Sequence, residues 1–303
     1  MQDVQRSSLG EEPGLMQTIR SVATLAAWSR RLHRDGVVIG MVPTMGALHA
    51  GHRSLIRRAR LSCDAVVVSL FVNPRQFGRG EDFSRYPKRF RSDTALCRRE
   101  GVDVLFVPSL GSMYPPGFQT SVEVRTLSQR WEGKFRPHHF EGVATVLTKL
   151  LSLARPQLAF FGQKDFQQAV LVRQLVEDLN LGIRIVLCPT VRDQDGLALS
   201  SRNEYLAPAQ RRAAPALYTA LQAGRAAVLA GNRSAARIRR VMLNAISAQP
   251  LTRVEYLAVC NPQTLEPLKH VIDRTLLLGA IRLGRIRLID NLLVRSPRRG
   301  TRH

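Results

Sequence analysis

Hydrophobic and polar positions along the first two thirds of the chain fall into blocks that predict strand and helix in turn. An apolar run at 37–42 leads into a loop with Pro43, Gly46 and Gly51, then into a helix opening near His52. A second run, 65–72, is apolar on both faces and stops in Asn73, Pro74, Arg75, Gln76 and Phe77, as a buried parallel strand does. Further strands are predicted at 102–107, 158–161 and 183–187. Helices are predicted at 21–35, 92–100, 140–154 and from the 162–168 segment to Asn180. Residues 120–125 alternate like an exposed edge strand. In the 140–154 helix, Val143, Val146, Leu147, Leu150 and Leu151 form a stripe that belongs to a core.

Beyond Pro208 the pattern changes to Ala-rich helices at 210–230 and 234–248, followed by strands near 254–259, 275–283 and 286–289. Strand and helix alternation predicts an α/β fold, a doubly wound parallel sheet, with a smaller α+β C-terminal domain. The expected division is a polar, disordered tail over 1–17, a Rossmann-like body over 18–191, and a region over 192–303 that closes over the site. Met16 is a second candidate start.

Composition narrows the class. The 303 residues are 45% apolar, ordinary for a globular protein, and no run of about 18 uncharged apolar residues suggests a membrane span. The first 15 residues lack an apolar core and carry Glu11 and Glu12, so the expected location is the cytoplasm. Cys63, Cys97, Cys188 and Cys260 are widely spaced and form no CxxC pair, which predicts buried free thiols. The net charge of +22 raises nucleic-acid binding. Yet 40 arginines against 5 lysines are spread along the whole chain, densest at 57–60, 88–91, 237–240 and 295–302. Apart from Phe90 these clusters lack interleaved aromatics, so a general replacement of Lys by Arg on a solvated surface explains the charge more simply.

Three polar loops follow predicted strands and should gather at one edge of the sheet. In the first, His49 and His52 flank a helix start, where free amides and a positive dipole end suit phosphate; the plainer alternative is a loop residue and a helix-start residue. In the second, Asn73 and Gln76 stand where a small polar substrate could meet them, or cap the next turn. In the third, Lys164 is a point charge suited to phosphate, while Asp165 and Gln168 have the spacing of a plain capping box. Arg136 and His139 precede the 140–154 helix, where a cation serves the mouth of a phosphate site. Ser200, Ser201 and Arg202 supply two hydroxyls and a guanidinium, or merely a helix-start turn. Tyr86 reads as a loop anchor rather than a substrate contact.

The stretch PTMGALHAGH at 43–52 resembles the HxGH signature of the nucleotidyltransferase superfamily, and in this longer form that of the pantoate–β-alanine ligase family. The resemblance runs from about Thr18 to Asn291 through SLFVNPRQF, HHFEGVATVLTKL, FGQKDFQQAVLVRQL, TVRDQDGLALSSRNEYL and RLGRIRLIDN. It implies ATP- and Mg²⁺-dependent joining of (R)-pantoate to β-alanine through a pantoyl-adenylate, by a cytoplasmic homodimer with no membrane or nucleic-acid partner. Met45, Gly46, Ala47, Leu48, His49, Ala50, Gly51 and His52 would then line the ATP site, with His52 as proton donor and His49 assisting at the phosphates. Gly162, Gln163, Lys164, Asp165, Val191, Leu199, Ser200, Ser201 and Arg202 would complete it, with Lys164 and Arg202 counted as catalytic. Gln76 and Gln168 would hold pantoate, and Asn73 and Arg136 would join the substrate side. The Mg²⁺ ligands, and a base for the β-alanine amine, are not identified.

Gln163, Leu199 and Arg75 depart from the family pattern, where Glu, Met and a neutral residue are usual. The first two are near-isosteric; Arg75, between Asn73 and Gln76, bears on substrate affinity. A related adenylyltransferase acting on a phosphorylated metabolite is the main rival, and the paired glutamines argue against it, because a phosphate substrate calls for more cations. A catalytically silent relative is opposed by the intact His49, His52, Lys164 and Arg202.

Overall fold

In the computed structural model, which describes residues 15–78 and 80–297, the chain opens with β1 (Gln17–Ile19), α1 (Val22–Arg34), β2 (Ile39–Thr44), α2 (Ala50–Arg60) and β3 (Ala65–Leu70). There follow α3 (Phe90–Arg99), β4 (Val104–Phe106), three one-turn helices α4 (Leu110–Met113), α5 (Arg125–Ser128) and α6 (Glu132–Phe135), and the long α7 (His139–Ala154). Next come β5 (Leu158–Gly162), α8 (Phe166–Asp178), β6 (Arg184–Cys188), α9 (Pro208–Ala213), α10 (Ala216–Leu229) and α11 (Ala235–Ser247). The strands β7 (Arg253–Cys260), β8 (Arg274–Leu283) and β9 (Ile286–Arg295) complete the order.

Strands one to six pair in parallel in the order β1-β4-β3-β2-β5-β6. β3 is buried at every residue because helices cover both faces of the sheet. Chain order reverses at β2, which has β3 on one side and β5 on the other. Such a reversal opens a crevice beyond the strands' carboxyl ends. The expected doubly wound sheet is therefore present, and the loops after β2, β3 and β5 meet at its switch point.

The last three strands form an antiparallel sheet β7-β8-β9. One face, through Leu257, Leu277 and Ile281, packs on Leu217, Leu221 and Met242 of α10 and α11. The other, through Tyr256, Leu276, Leu278 and Ala280, belongs to the same core as Met41, Val67 and Phe106 of the parallel sheet. All four cysteines are free and buried, as expected. No described helix is long and apolar enough to cross a membrane.

Several expectations need correction. Residues 120–125 form no strand: Val122 and Val124 do point inward, but the segment lies against α7, where the Val122 amide donates to Thr145 Oγ1 at 3.0 Å. Alternating burial needs a surface to lie on, not a partner strand. The helix expected over 210–230 is broken, because Pro215 has no N–H to continue α9 and instead starts α10. α2 opens at Ala50, with His49 as its N-cap. β9 runs to Arg295, beyond the predicted end at 289, because β8 pairs with it throughout. Gln17, expected in the tail, is in β1 and pairs with Val104. The tail's residues 1–14, with Met1, and residues 298–303 of the last arginine cluster lie outside the described residues.

Candidate active site

The loop after β2 is folded by its own hydroxyl and by a carboxylate from far along the chain. Thr44 Oγ1 donates to Ser69 O at 2.6 Å and accepts from Gly46 N at 3.2 Å. Gly46 then turns at φ +87, a conformation that favours glycine. Asp93 of α3, only 2% exposed, accepts from Ala47 N at 2.9 Å and from Leu48 N at 2.8 Å. Burial raises its pKa, and the two amide bonds only partly offset that rise. Two of the amides expected to face a nucleotide are therefore already taken. Asp93 shapes this loop and was missed by sequence reasoning; a lone acid in a surface-type helix gave no signal.

Gly51 N donates to His49 Nδ1 at 3.1 Å, and His49 N donates to His52 Nδ1 at 3.3 Å. With both Nδ1 atoms accepting, each neutral ring carries its proton on Nε2. The rings lie 4.1 Å apart. Burial first, then the Lys164 charge, lowers His49 to about 4; burial and then His49 lower His52 to about 3. A Cβ on Gly51 would fall 2.8 Å from the His49 ring, so this packing requires glycine.

The loop after β3 begins a 3-10 turn at Pro74–Gln76, capped by Asn73. Asn73 is 1% exposed and consumed by the fold: it donates to Gly142 O at 3.0 Å and to Gln76 Oε1 at 3.2 Å, and accepts from Tyr114 OH at 2.9 Å. It does not line the pocket, and its side chain caps the turn by accepting from Arg75 N at 3.3 Å. Gln76 does line it, its Nε2 2.8 Å from Met45 S. The Gln76 carbonyl accepts from His139 Nδ1 at 2.7 Å and from Arg136 at 3.2 Å. Burial and then the Arg136 charge hold His139 down at about 4. Arg136 reaches the pocket but already grips Glu81 through two bonds of 2.8 and 2.6 Å. Arg75 turns away, stacking its guanidinium 5.5 Å from the Tyr114 ring centre and 5.3 Å from that of Phe118.

After β5, Gly162 leads into a 3-10 turn, Gln163–Asp165. Asn291 of β9 clamps that turn, donating to Gln163 O at 2.8 Å and Lys164 O at 3.0 Å. The Gln163 side chain faces Asn291 at 3.4 Å and does not line the pocket. The Asp165 side chain makes no capping bond to α8, so the expected capping box is absent. Its oxygen lies 3.6 Å from Lys164 Nζ. Although burial would raise Asp165, Lys164 and then Arg202 bring it below the usual carboxylate value.

The loop after β6 folds back on itself, Leu199 N donating to Val191 O at 3.0 Å. Ser200 caps the turn at Ser201–Tyr205, and Ser201 Oγ donates to Tyr86 OH at 3.2 Å. Tyr86 is thus an anchor between two loops, as expected. Arg202 donates from Nε and NH2 to Asp82, both at 2.9 Å.

These loops enclose a cavity of about 220 Å³. Met45, His49, Gly51, His52, Gln76, Arg136, Gly162, Lys164, Asp165, Gln168, Val191, Leu199, Ser200, Ser201 and Arg202 all line it. Gly46, Ala47, Leu48, Ala50, Gln163 and Asn73 do not. The cavity opens past Lys164 and Arg202 into a cleft of about 1450 Å³ walled by β7, β8 and β9.

A parallel sheet with imidazole donors at a helix N-terminus, a lysine across from them and a hydroxyl-rich loop beside them defines an α/β enzyme of the HxGH nucleotide-binding class. The chain belongs to the pantoate–β-alanine ligase family, whose model matches residues 17–293. It is 47% identical over 279 residues to the pantothenate synthetase of Heliobacterium modesticaldum, covering 92% of this chain and 99% of that one. Its identity to the pantothenate synthetase of Moorella thermoacetica is 48%, over 92% of this chain and 98% of that one. The crystal structure of the Thermus thermophilus pantothenate synthetase superposes with a TM-score of 0.89 at 47% identity, covering 93% of this chain and 100% of that one. The Francisella tularensis pantoate–β-alanine ligase, complexed with β,γ-ATP and β-alanine, superposes with a TM-score of 0.76 at 34% identity over 92% of this chain and 97% of that one.

Proposed function

We propose that the 220 Å³ cavity and its mouth activate (R)-pantoate with ATP and pass the acyl-adenylate to β-alanine. The observation that carries this reading is the meeting, in one cavity, of two Nε2–H imidazoles, Lys164 and the facing glutamines Gln76 and Gln168. An amide that both donates and accepts suits a substrate with a carboxylate and hydroxyls. The pantoate carboxylate oxygen attacks the α-phosphorus and pyrophosphate departs; the β-alanine nitrogen then attacks the acyl carbon, the proton leaves the nitrogen, and AMP leaves with the acyl C–O electrons.

Positioning and charge stabilisation supply the catalysis. His49 and His52 donate Nε2–H bonds to oxygens that gain charge at phosphorus. With burial lowering them to about 4 and 3, both serve as neutral hydrogen-bond donors, and we read the donor role expected of His52 in that sense. Lys164 neutralises the leaving group, joined by Arg202 once Asp82 shares it. Ser200 and Ser201 serve the phosphates from the 199–205 loop, which we assign as the closing element.

Among the described residues no cluster of three His, Cys, Asp or Glu side chains could hold a metal by itself. Mg²⁺ would fit as a partner of ATP: phosphate oxygens would be its main ligands, and Asp165, the carboxylate lining the cavity, would add one more. Bound there, it would neutralise phosphate charge. A homodimer in the cytoplasm is the assembly and location we infer from the family resemblance. ATP–pyrophosphate exchange with (R)-pantoate, without β-alanine, tests the reading. Exchange should require pantoate and fall by about 100-fold or more in His52→Ala; pantoate-independent exchange, or none from folded protein that binds ATP, would refute it.

A further inference from the structure

We propose that the wide cleft contains a second anion subsite, for a phosphoanhydride group such as pyrophosphate, built on an arginine ladder at the outer end of the β7–β9 sheet. Arg253 of β7 sits directly opposite Arg282 of β8, and Arg282 opposite Arg287 of β9. Residues paired across an antiparallel sheet share a face, so the three guanidiniums stand in a row, and all three line the cleft. Arg285, in the turn between β8 and β9, joins them there. Like charges directly opposite one another are destabilising, so such a row calls for a counter-charge.

The fold provides part of it. The register slips between Val254 and Tyr256, a bulge that takes Glu255 out of regular pairing. The Glu255 carboxylate then bridges Arg282 Nε and Arg287 Nε, while Arg287 also grips Glu132 of α6. The two carboxylates are therefore taken up by Arg282 and Arg287, and the row of four guanidiniums keeps an excess of positive charge. Arg282 and Arg287 are held in fixed orientation, and Arg253 and Arg285, both exposed, have no ion-pair partner among the described residues. A guanidinium fork matches two phosphate oxygens at once, so oriented arginines beside uncommitted ones fit a multiply charged phosphoanhydride. Two sources can supply that group: pyrophosphate leaving the inner cavity, and the triphosphate of incoming nucleotide. The cavity and cleft are continuous through Lys164, Asp165 and Arg202, so either would pass the ladder.

The test uses calorimetric titration of the full chain with pyrophosphate, and separately with ATP, in the parent, in Arg285→Gln and in Arg253→Gln/Arg285→Gln. Parent protein should bind pyrophosphate at two sites. The double variant should keep one and weaken the other by about tenfold or more, with Arg285→Gln intermediate. Loss of a second site for ATP together with the second site for pyrophosphate would support incoming nucleotide as an occupant, and loss for pyrophosphate alone would support the departing product. One site in the parent, or superimposable curves for parent and both variants, would overturn it. The proposal rests on the ligase reading only for the source of the ligand. Binding without turnover leaves the two separable, because a protein inactive in exchange would still show the second site.

Discussion

Asp93 lies 46 positions from Ala47 in the chain, yet its two oxygens decide where the amides of Ala47 and Leu48 point. Those amides are therefore scaffold, and the anion site is left to the imidazoles. Asp93→Asn keeps one acceptor and leaves one buried N–H without a partner, at a cost of about 2 kcal/mol. The expected result is a lower urea midpoint together with a rise in the KM for ATP, while pantoate binding is little changed; an unaltered KM for ATP would remove Asp93 from the positioning role. The three half-buried histidines carry a pH signature. His49 and His139 are held near 4 and His52 near 3, against 6.5 for free imidazole, so the folded state binds fewer protons than the unfolded one between about pH 6.5 and 4. Their contribution is complete above 6.5 and is lost as pH falls through that window. Urea midpoints measured down to about pH 4.5 should drop less steeply in His139→Gln than in the parent; parallel curves would show that His139 is not held neutral.

At the scale of elements, the loop that carries Gln76 is set by a backbone contact. A Cβ on Gly142 would meet Arg75 O at 2.1 Å, so the Pro74–Gln76 turn lies directly on α7. Gly142→Ala should push that turn outward, displace Gln76 and raise the KM for pantoate more than that for ATP, a split that steady-state kinetics reads directly. Nothing in the pattern around 140–154 distinguishes Gly142 from a tolerated helix glycine, because the neighbour it admits is distant in sequence. The strands β3, β5 and β8 were legible for the opposite reason: their burial is continuous, and a run such as 65–72 can only sit inside a sheet. The gathering of His52, Gln76, Lys164 and Arg202 around one cavity was legible because polar loops that follow parallel strands meet at one sheet edge. It was not legible where a side chain's partner comes from elsewhere, as with Asn73 on Tyr114 and Gly142, Gln163 on Asn291, or Arg202 on Asp82. Periodicity misleads at 120–125 because it reports which side chains point inward, and α7 supplies the inner surface that a neighbouring strand would have given.

Across the whole molecule, the sequence pattern changes near Pro208, but the core does not divide there. The β7–β9 sheet gives one face to α10 and α11 and the other to the core of the parallel sheet, so residues 192–303 cut free would expose Tyr256, Leu276, Leu278 and Ala280. The junction is also polar and specific: Trp131 Nε1 donates to Leu265 O at 2.8 Å, Tyr256 OH donates to Glu132 at 2.6 Å, and Arg287 pairs with the same carboxylate. Burial would raise Glu132, but Arg287 keeps it below the ordinary carboxylate value. A region that completes another region's core unfolds with it. In a Trp28→Phe background Trp131, its ring centre 5.6 Å from that of Tyr256, reports the junction by fluorescence, while far-ultraviolet dichroism reports all the helices. The two signals should trace one urea transition. Glu132→Ala leaves Arg287 with Glu255 alone and the buried Tyr256 hydroxyl without its acceptor, at a cost of about 1 to 3 kcal/mol, which should move that single transition to lower urea without splitting it. Fluorescence changing well before dichroism in the Trp28→Phe protein would show that 192–303 is a separable unit after all, and would return the closing movement to the whole C-terminal region.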